Sequence, residues 1–382
     1  MRVLVLGASG FIGTRVVDYL VHVKKVQVRA VVRDYRKAIR IARHDIEIIK
    51  APIDDMSSEA MAENCDAVIS CIHPFGAPNE KSAAIDSCNK SIRLSQRTRT
   101  RRFVYLSSAA VYGMRSGAVN EESQPCPDNV YIQAKLCCEK IITKAHKSGT
   151  IRGVILRPAI VYGPFSRSWT IHPVEQMRKG ELMIPLNAAG NCNAVHIDDV
   201  ACAAGEAAVT GSADGMIINL TGPNKLTWKE FYGFYEKEVR PGSLMEIPLS
   251  EIKKKISEAE SNKNSWNSFK RILADRAVRD RLNEIPLVSR LNTFCKSAGW
   301  KGLPPIPIEH SSISAMRAQF FPDSFMLNLY TRAPFVESLN FSKLLNFPPI
   351  DIATGMKSTI SWLRWAGFSN DLENSVFEHN EN

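Results

Sequence analysis

The chain has 382 residues, 45% of them hydrophobic and 23% charged, enough to bury a large core as one large domain or two modest ones. That balance excludes a disordered or fibrous chain, and no apolar run approaches the roughly 20 residues that span a bilayer. The formal net charge of +10 draws anions, but the arginines are dispersed, and no zinc-finger, basic-zipper or RNA-recognition pattern argues for a nucleic-acid partner.

The first stretch organises the rest. Arg2-Val3-Leu4-Val5-Leu6 reads as a buried strand that runs into Gly7-Ala8-Ser9-Gly10-Phe11-Ile12-Gly13 and then a helix to Val21. A strand ending in glycines and opening into a helix binds phosphate, because free N–H groups and the positive dipole end meet an anion there. Gly7 permits the tight turn, Gly10 admits a diphosphate next to the backbone of Ser9, Phe11 and Ile12, and Gly13 lets the helix lie close on the sheet. The spacing is G-x-x-G-x-x-G, which by itself also fits ordinary turn glycines.

Val26 to Val32 is a second, β-branched strand ending at Arg33. In a dinucleotide fold an arginine there suits a 2′-phosphate, so Arg33, with Arg36 as a second cation, favours NADP over NAD. Asp34 next door and a plain surface role for Arg33 leave NAD open. The alternation continues with a helix near Arg36 to Arg43, a strand at Ile46 to Ile49 and a helix from Ser57 to Asn64. A strand at Ala67 to Cys71, a long helix from about Asn79 to Thr98 and a strand at Phe103 to Ser107 follow. This spacing predicts an α/β fold with a doubly wound parallel sheet, whose ligands sit beyond the carboxyl ends of the strands. His73, before Pro74, reads as a loop residue, and the run Arg93 to Arg102 as a solvated helix end.

Tyr131 and Lys135 open a helix capped by Pro127-Asp128-Asn129, and their spacing of four puts phenol and ammonium on one face. A nearby cation is expected to lower the tyrosine pKa towards working pH, fitting it to exchange a proton with an alcohol or ketone. Taken with Tyr105-Leu106-Ser107-Ser108-Ala109-Ala110-Val111-Tyr112-Gly113, Leu156 to Pro164 and Val195 to Ala201, the glycine turn and this pair resemble the extended short-chain dehydrogenase/reductase superfamily over roughly residues 1 to 240.

That resemblance implies a Rossmann domain over 1–165, with returning segments near 195–222, and a smaller discontinuous substrate domain mainly over 166–382. It implies Ser108, Tyr131 and Lys135 as catalytic residues, Tyr131 as general acid/base and Lys135 also on the nicotinamide ribose. Gly7, Gly10 and Gly13 would hold the diphosphate and Pro158 would lie near the nicotinamide. His196, Asp198 and Asp199 read as anchors of a helix. Departures narrow the activity. Ala109-Ala110 replaces the acidic pair of sugar-nucleotide dehydratases, and Ile160 stands where many epimerases carry an asparagine. Ala51-Pro52 replaces the usual Gly-Asp at the adenine site, leaving Ile53 or Asp54 as the contact.

Trp169 to Lys179, Glu206 to Val209 and Thr227 to Val239 are expected in the substrate domain, with Met216 to Leu220 adding a strand to the sheet. An extended helical insertion covers about 241–310, its Glu251 to Asn283 part reading as amphipathic helices over the site, an oligomer contact or a membrane-surface helix. Phe320 to Phe335 could wall an apolar pocket, and Gly355 to Gly367 looks like a closing helix. The expected partners are a small-molecule substrate and a second copy in a homodimer. Nine scattered cysteines without a C-x-x-C pair, and a first strand at Arg2 that leaves no room for a signal peptide, point to a cytoplasmic protein. The function classes left are an NAD(P)-dependent oxidoreductase, an epimerase using transient oxidation, and a non-catalytic NADP sensor.

Overall fold

The computed structural model describes residues 1–51, 59–180, 182–258, 323–345 and 348–368. Among these, seven strands form one all-parallel sheet: β1 (Arg2–Leu6), β2 (Gln27–Val32), β3 (Glu47–Lys50), β4 (Ala67–Ser70), β5 (Arg102–Leu106), β7 (Arg152–Pro158) and β11 (Ile217–Leu220). Their order is β11-β7-β5-β4-β1-β2-β3, so the winding reverses between β1 and β4. Leu6 stands between Val31 of β2 and Ser70 of β4. Both faces of the central strands are buried, which is why these segments read as nearly unbroken apolar runs.

Helix α1 (Phe11–His22) and α5 (Ile197–Val209) cover one face with Val16, Leu20, Val200 and Ala204 in a common core. Helices α2 (Glu80–Gln96) and α3 (Val130–Lys147) cover the other with Cys88, Ile92, Ala134 and Cys138. A second lobe is built on α4 (His172–Lys179), α6 (Trp228–Val239), α7 (Ser324–Arg332) and α9 (Ile352–Trp365) around the buried Trp228, Phe231 and Tyr232. Short parallel pairs stitch the lobe to the sheet: β6 (Ala118–Val119) with β13 (Phe335–Val336), and β8 (Ile160–Tyr162) with β10 (Ala194–His196). Within the lobe, β9 (Leu182–Pro185) pairs with β12 (Leu244–Ile247). The short α8 (Phe341–Leu345) returns to the first core beside α5.

Several expectations change. The helix expected at Arg36 to Arg43 is only a 3-10 turn, Tyr35–Ala38, because Asp34 caps it and just Ala38 of it turns inward. Glu206 to Val209 closes α5 on the sheet instead of joining the second lobe, and Glu206 accepts from Tyr19 and Lys24 of the α1 region. Within the basic run, Arg102 is buried, donating to Asp214 and to the carbonyl of Ala208, so that end of the run is structural. Residues 249–258 are helical, whereas 259–283 of the expected amphipathic insertion lie outside the described residues. No helix among the described residues is long and apolar enough to cross a membrane.

Candidate active site

The glycine turn lies at the carboxyl end of β1. Gly7 takes φ +74°, and a Cβ there would meet the backbone of Cys71 at 3.2 Å, on the loop that leaves β4. A Cβ on Gly13 would fall 2.2 Å from the Gly7 carbonyl oxygen, so α1 could not sit at this depth with any other residue. Gly10 caps α1 without a side-chain hydrogen bond, leaving the first-turn N–H groups of Phe11 and Ile12, next to Ser9, without a capping side chain. An uncapped helix start beside two glycines, at the point where the winding reverses, fits a dinucleotide diphosphate.

Arg33, at the end of β2, is exposed and pairs with no acidic group among the described residues. Arg36 does not join it: its guanidinium forks the Asp34 carboxylate at 3.0–3.2 Å. Asp34 also accepts the Arg36 backbone N–H at 3.0 Å, so it is fully engaged by its own turn. The expected adenine-site contact Ile53, with Pro52 and Asp54, lies outside the described residues.

Ser108 follows β5 and caps a 3-10 turn, its Oγ accepting the Ala110 N–H at 3.2 Å. Tyr131 is the second residue of α3, whose N-cap Asn129 accepts the Ile132 N–H at 2.9 Å. The Ser108 hydroxyl pulls the Tyr131 pKa down. Burial outweighs that pull, and with the negative charge of Glu80 it leaves the phenol above its ordinary value. The sequence expectation that Lys135 would lower it is therefore corrected. The Lys135 ammonium sits 5.9 Å from the Tyr131 ring centroid and donates to the Leu106 carbonyl at 2.7 Å. Burial lowers Lys135 itself to about 8.

Pro158 ends β7 and is buried; Ala159 and Ile160 beyond it line a cavity of about 530 Å³. Ser108, Ala109, Ala110 and Tyr131 form one wall of the cavity, and Phe325, Leu329 and Val336 from the end of the chain form another. Phe325 and Leu329 of that second wall fall in the stretch Phe320 to Phe335 expected to border a pocket, and Val336 lies one residue beyond it. His196, Asp198 and Asp199 lie elsewhere: His196 caps α5, Asp198 pairs with Arg15, and Asp199 accepts the Ile350 N–H at 2.9 Å.

Two groups of residues around the site were not assigned to it from the sequence, although His73 was read as a loop residue, where it lies. His73, Phe75 and Glu80 surround the phenol: Phe75 stacks on Tyr131 at 5.7 Å, and His73 stands edge-on to it while bonding Glu80 at 2.9 Å. Beneath the site Glu139 accepts from Arg157 at 2.6 and 3.0 Å and from Ser107, and Arg157 reaches the Tyr112 hydroxyl at 2.8 Å. The signal for Glu139 was available, since it follows Lys135 by four residues on the inner face of α3.

A parallel sheet wound in this order and opened by a glycine turn is the doubly wound dinucleotide-binding architecture, here with the second lobe of the extended short-chain dehydrogenases/reductases over its carboxyl edge. The chain belongs to the NAD dependent epimerase/dehydratase family, whose model matches residues 3–220. The sterol-4-alpha-carboxylate 3-dehydrogenase (decarboxylating) of Candida albicans is 25% identical over 181 residues, 43% of this chain and 52% of that protein, so the match spans about half of that relative. The 2′-dehydrokanamycin reductase of Streptomyces kanamyceticus is 23% identical over 303 residues, 76% of this chain and 79% of its own. Among solved structures, UDP-glucuronic acid 4-epimerase from Bacillus cereus in complex with NAD shares the fold with TM-score 0.66 and 17% identity, over 95% of this chain and 96% of its own.

Proposed function

We propose that the protein is a cytoplasmic, NADP(H)-preferring oxidoreductase acting at a secondary alcohol or ketone. The observation that carries this reading is that Ser108 and Tyr131 line the same cavity at the carboxyl edge of the sheet. Ser9 to Gly13 would hold the diphosphate, Lys135 the ribose, and the Pro158 backbone would border the nicotinamide. The bound cofactor supplies the hydride chemistry. Tyr131 then gives its phenolic proton to the carbonyl oxygen in reduction, or takes the alcohol proton in oxidation. Ser108 donates a hydrogen bond to the oxygen on which negative charge develops. Lys135, fixed on the Leu106 carbonyl, keeps a positive charge one helical turn behind the phenol.

The NADP preference rests on the second strand. Asp34 is engaged by Arg36 and so is not free to accept a ribose 2′-hydroxyl, whereas the Arg33 guanidinium is free to meet a 2′-phosphate. The eight described cysteines are free thiols, in keeping with a reducing compartment. Ala109 and Ala110 place no acid beside Ser108, which speaks against dehydration. The family description keeps epimerisation as the second reading, in which the same three residues would act twice.

The test is Tyr131→Phe in the purified full chain, assayed with NADPH and a panel of ketones. Loss of NADPH oxidation with NADPH binding retained is the expected result, and an unchanged rate would sink the reading. Product formed without net cofactor turnover would favour the epimerase.

A further inference from the structure

The described wall of the cavity beside Tyr131 is largely apolar. The larger apolar part of its described lining is Phe75, Met114, Ile160, Trp169, Phe325 and Leu329, alongside the polar Ser108, Tyr131, three asparagines and Asp323. Among the described residues no lysine or arginine lines it, and the charged side chain that does, Asp323, is acidic. Cations near the wall are engaged elsewhere. Arg115 donates to the carbonyls of Tyr112 and Gln124, and Lys225 lies 4.4 Å over the ring of Phe335.

The amides in the lining serve the fold. Asn193 donates to the Pro334 carbonyl and accepts the Val336 N–H, both at 2.8 Å, which ties down the wall strand β13. Asn191 donates to the Ala333 carbonyl at 3.2 Å, and Asn129 caps α3 while donating to Asp128. Asp323 caps α7 by accepting the Met326 N–H at 2.8 Å. At the reacting end the cavity presents the hydroxyls of Ser108 and Tyr131. A diphosphate placed here would lose its hydration and meet no cation from the described lining in return. An apolar ring system would instead exchange water for aromatic and aliphatic contacts.

We propose that the substrate is a neutral, largely apolar alcohol or ketone, ring-bearing and without a nucleotide or phosphate handle. This rests on the oxidoreductase reading and adds the substrate class to it. Among the described residues the positive charge lies outside this cavity, and the reactive oxygen is the ligand's main polar anchor.

The experiment uses the full chain saturated with NADPH and a neutral fluorescent ketone, 6-propionyl-2-(dimethylamino)naphthalene. Saturable binding with quenching of tryptophan emission is expected, since Trp169 lines the cavity. UDP and UDP-glucose should bind at least about 100-fold more weakly, a gap of about 2.7 kcal/mol. Phe325→Ala, at a half-exposed wall position, should weaken the ketone about three- to tenfold by removing apolar contact. Displacement of the ketone by UDP-glucose at equal or lower concentration overturns the proposal, as does a ketone affinity untouched by Phe325→Ala. NADPH binding, followed by its own fluorescence, reports separately on the parent reading. Its absence would remove that reading while the ranking of neutral over anionic ligands still stood.

Discussion

The imidazole of His73 stands edge-on to the phenol ring of Tyr131, with centroids 4.8 Å apart and planes at 81°. Phe75 stacks on the same phenol at 5.7 Å and 14°, so two rings from the loop after β4 hold a residue that starts α3. Burial, helped by the Lys135 charge, lowers the His73 pKa to about 4, and the ring is neutral at working pH. A neutral ring bonded to Glu80 braces the phenol instead of titrating beside it. His73→Ala should therefore lower kcat about tenfold with little change in KM, because proton transfer depends on a fixed donor position. His73→Phe, which restores a ring edge, should recover most of that loss. Steady-state kinetics of the two variants decide it, and equal damage in both would refute the bracing role.

Glu80 and Ser108 act on the phenol with opposite sign. The Glu80 charge raises the Tyr131 pKa and the Ser108 hydroxyl lowers it. Alcohol oxidation needs the deprotonated phenol, so its rate climbs as pH rises through that pKa. Glu80→Gln should move the climb to lower pH. Ser108→Ala should move it to higher pH and cut kcat by about 10²–10³-fold, as loss of a charge-stabilising donor does. Profiles of kcat against pH for the oxidative direction test both; shifts of the same sign would contradict this electrostatic account.

The sheet was legible in the sequence because parallel strands buried on both faces are mostly apolar, as β1, β4 and β5 are apart from one terminal residue each. Tyr131 and Lys135 were legible as a pair because helical spacing fixes which residues share a face. What the ammonium does there was not. Spacing carries no information on whether the charge faces the phenol or a carbonyl, and the carbonyl belongs to Leu106, 29 residues earlier. His73, Phe75 and Glu80 stayed hidden for a related reason: they meet Tyr131 only once β4 and α3 are packed side by side. The wall contributed by Phe325 to Val336 depends on β13 pairing with β6 across more than two hundred residues. No local pattern encodes such a contact.

Cofactor choice should turn on Arg33. If its exposed guanidinium meets a 2′-phosphate, Arg33→Ala removes a charge-assisted contact and weakens NADPH by roughly 1–3 kcal/mol, leaving NADH nearly unchanged. Asp34 is not predicted to compensate, since Arg36 and its own turn hold it. Titrations of both cofactors against the wild type and the variant measure the difference directly. Equal weakening of NADH and NADPH would place the 2′-phosphate elsewhere.

Asp199 makes the stability of the fold depend on pH in a direction opposite to that of an ordinary carboxylate. It is buried in the first turn of α5, and burial raises its pKa to about 7 although the Ile350 N–H opposes the shift. The folded chain therefore holds a proton that the unfolded chain releases near pH 4. The resulting stabilisation is complete below that pH and is lost as pH rises through 7. Asp199→Asn keeps an oxygen for the Ile350 N–H and never ionises. Relative to wild type, the variant should gain roughly 2–4 kcal/mol between pH 4 and pH 8. Urea unfolding of both proteins at the two pH values measures that gain. A constant difference would mean that Asp199 ionises in the folded chain as easily as in the unfolded one, its hydrogen bond from Ile350 offsetting its burial.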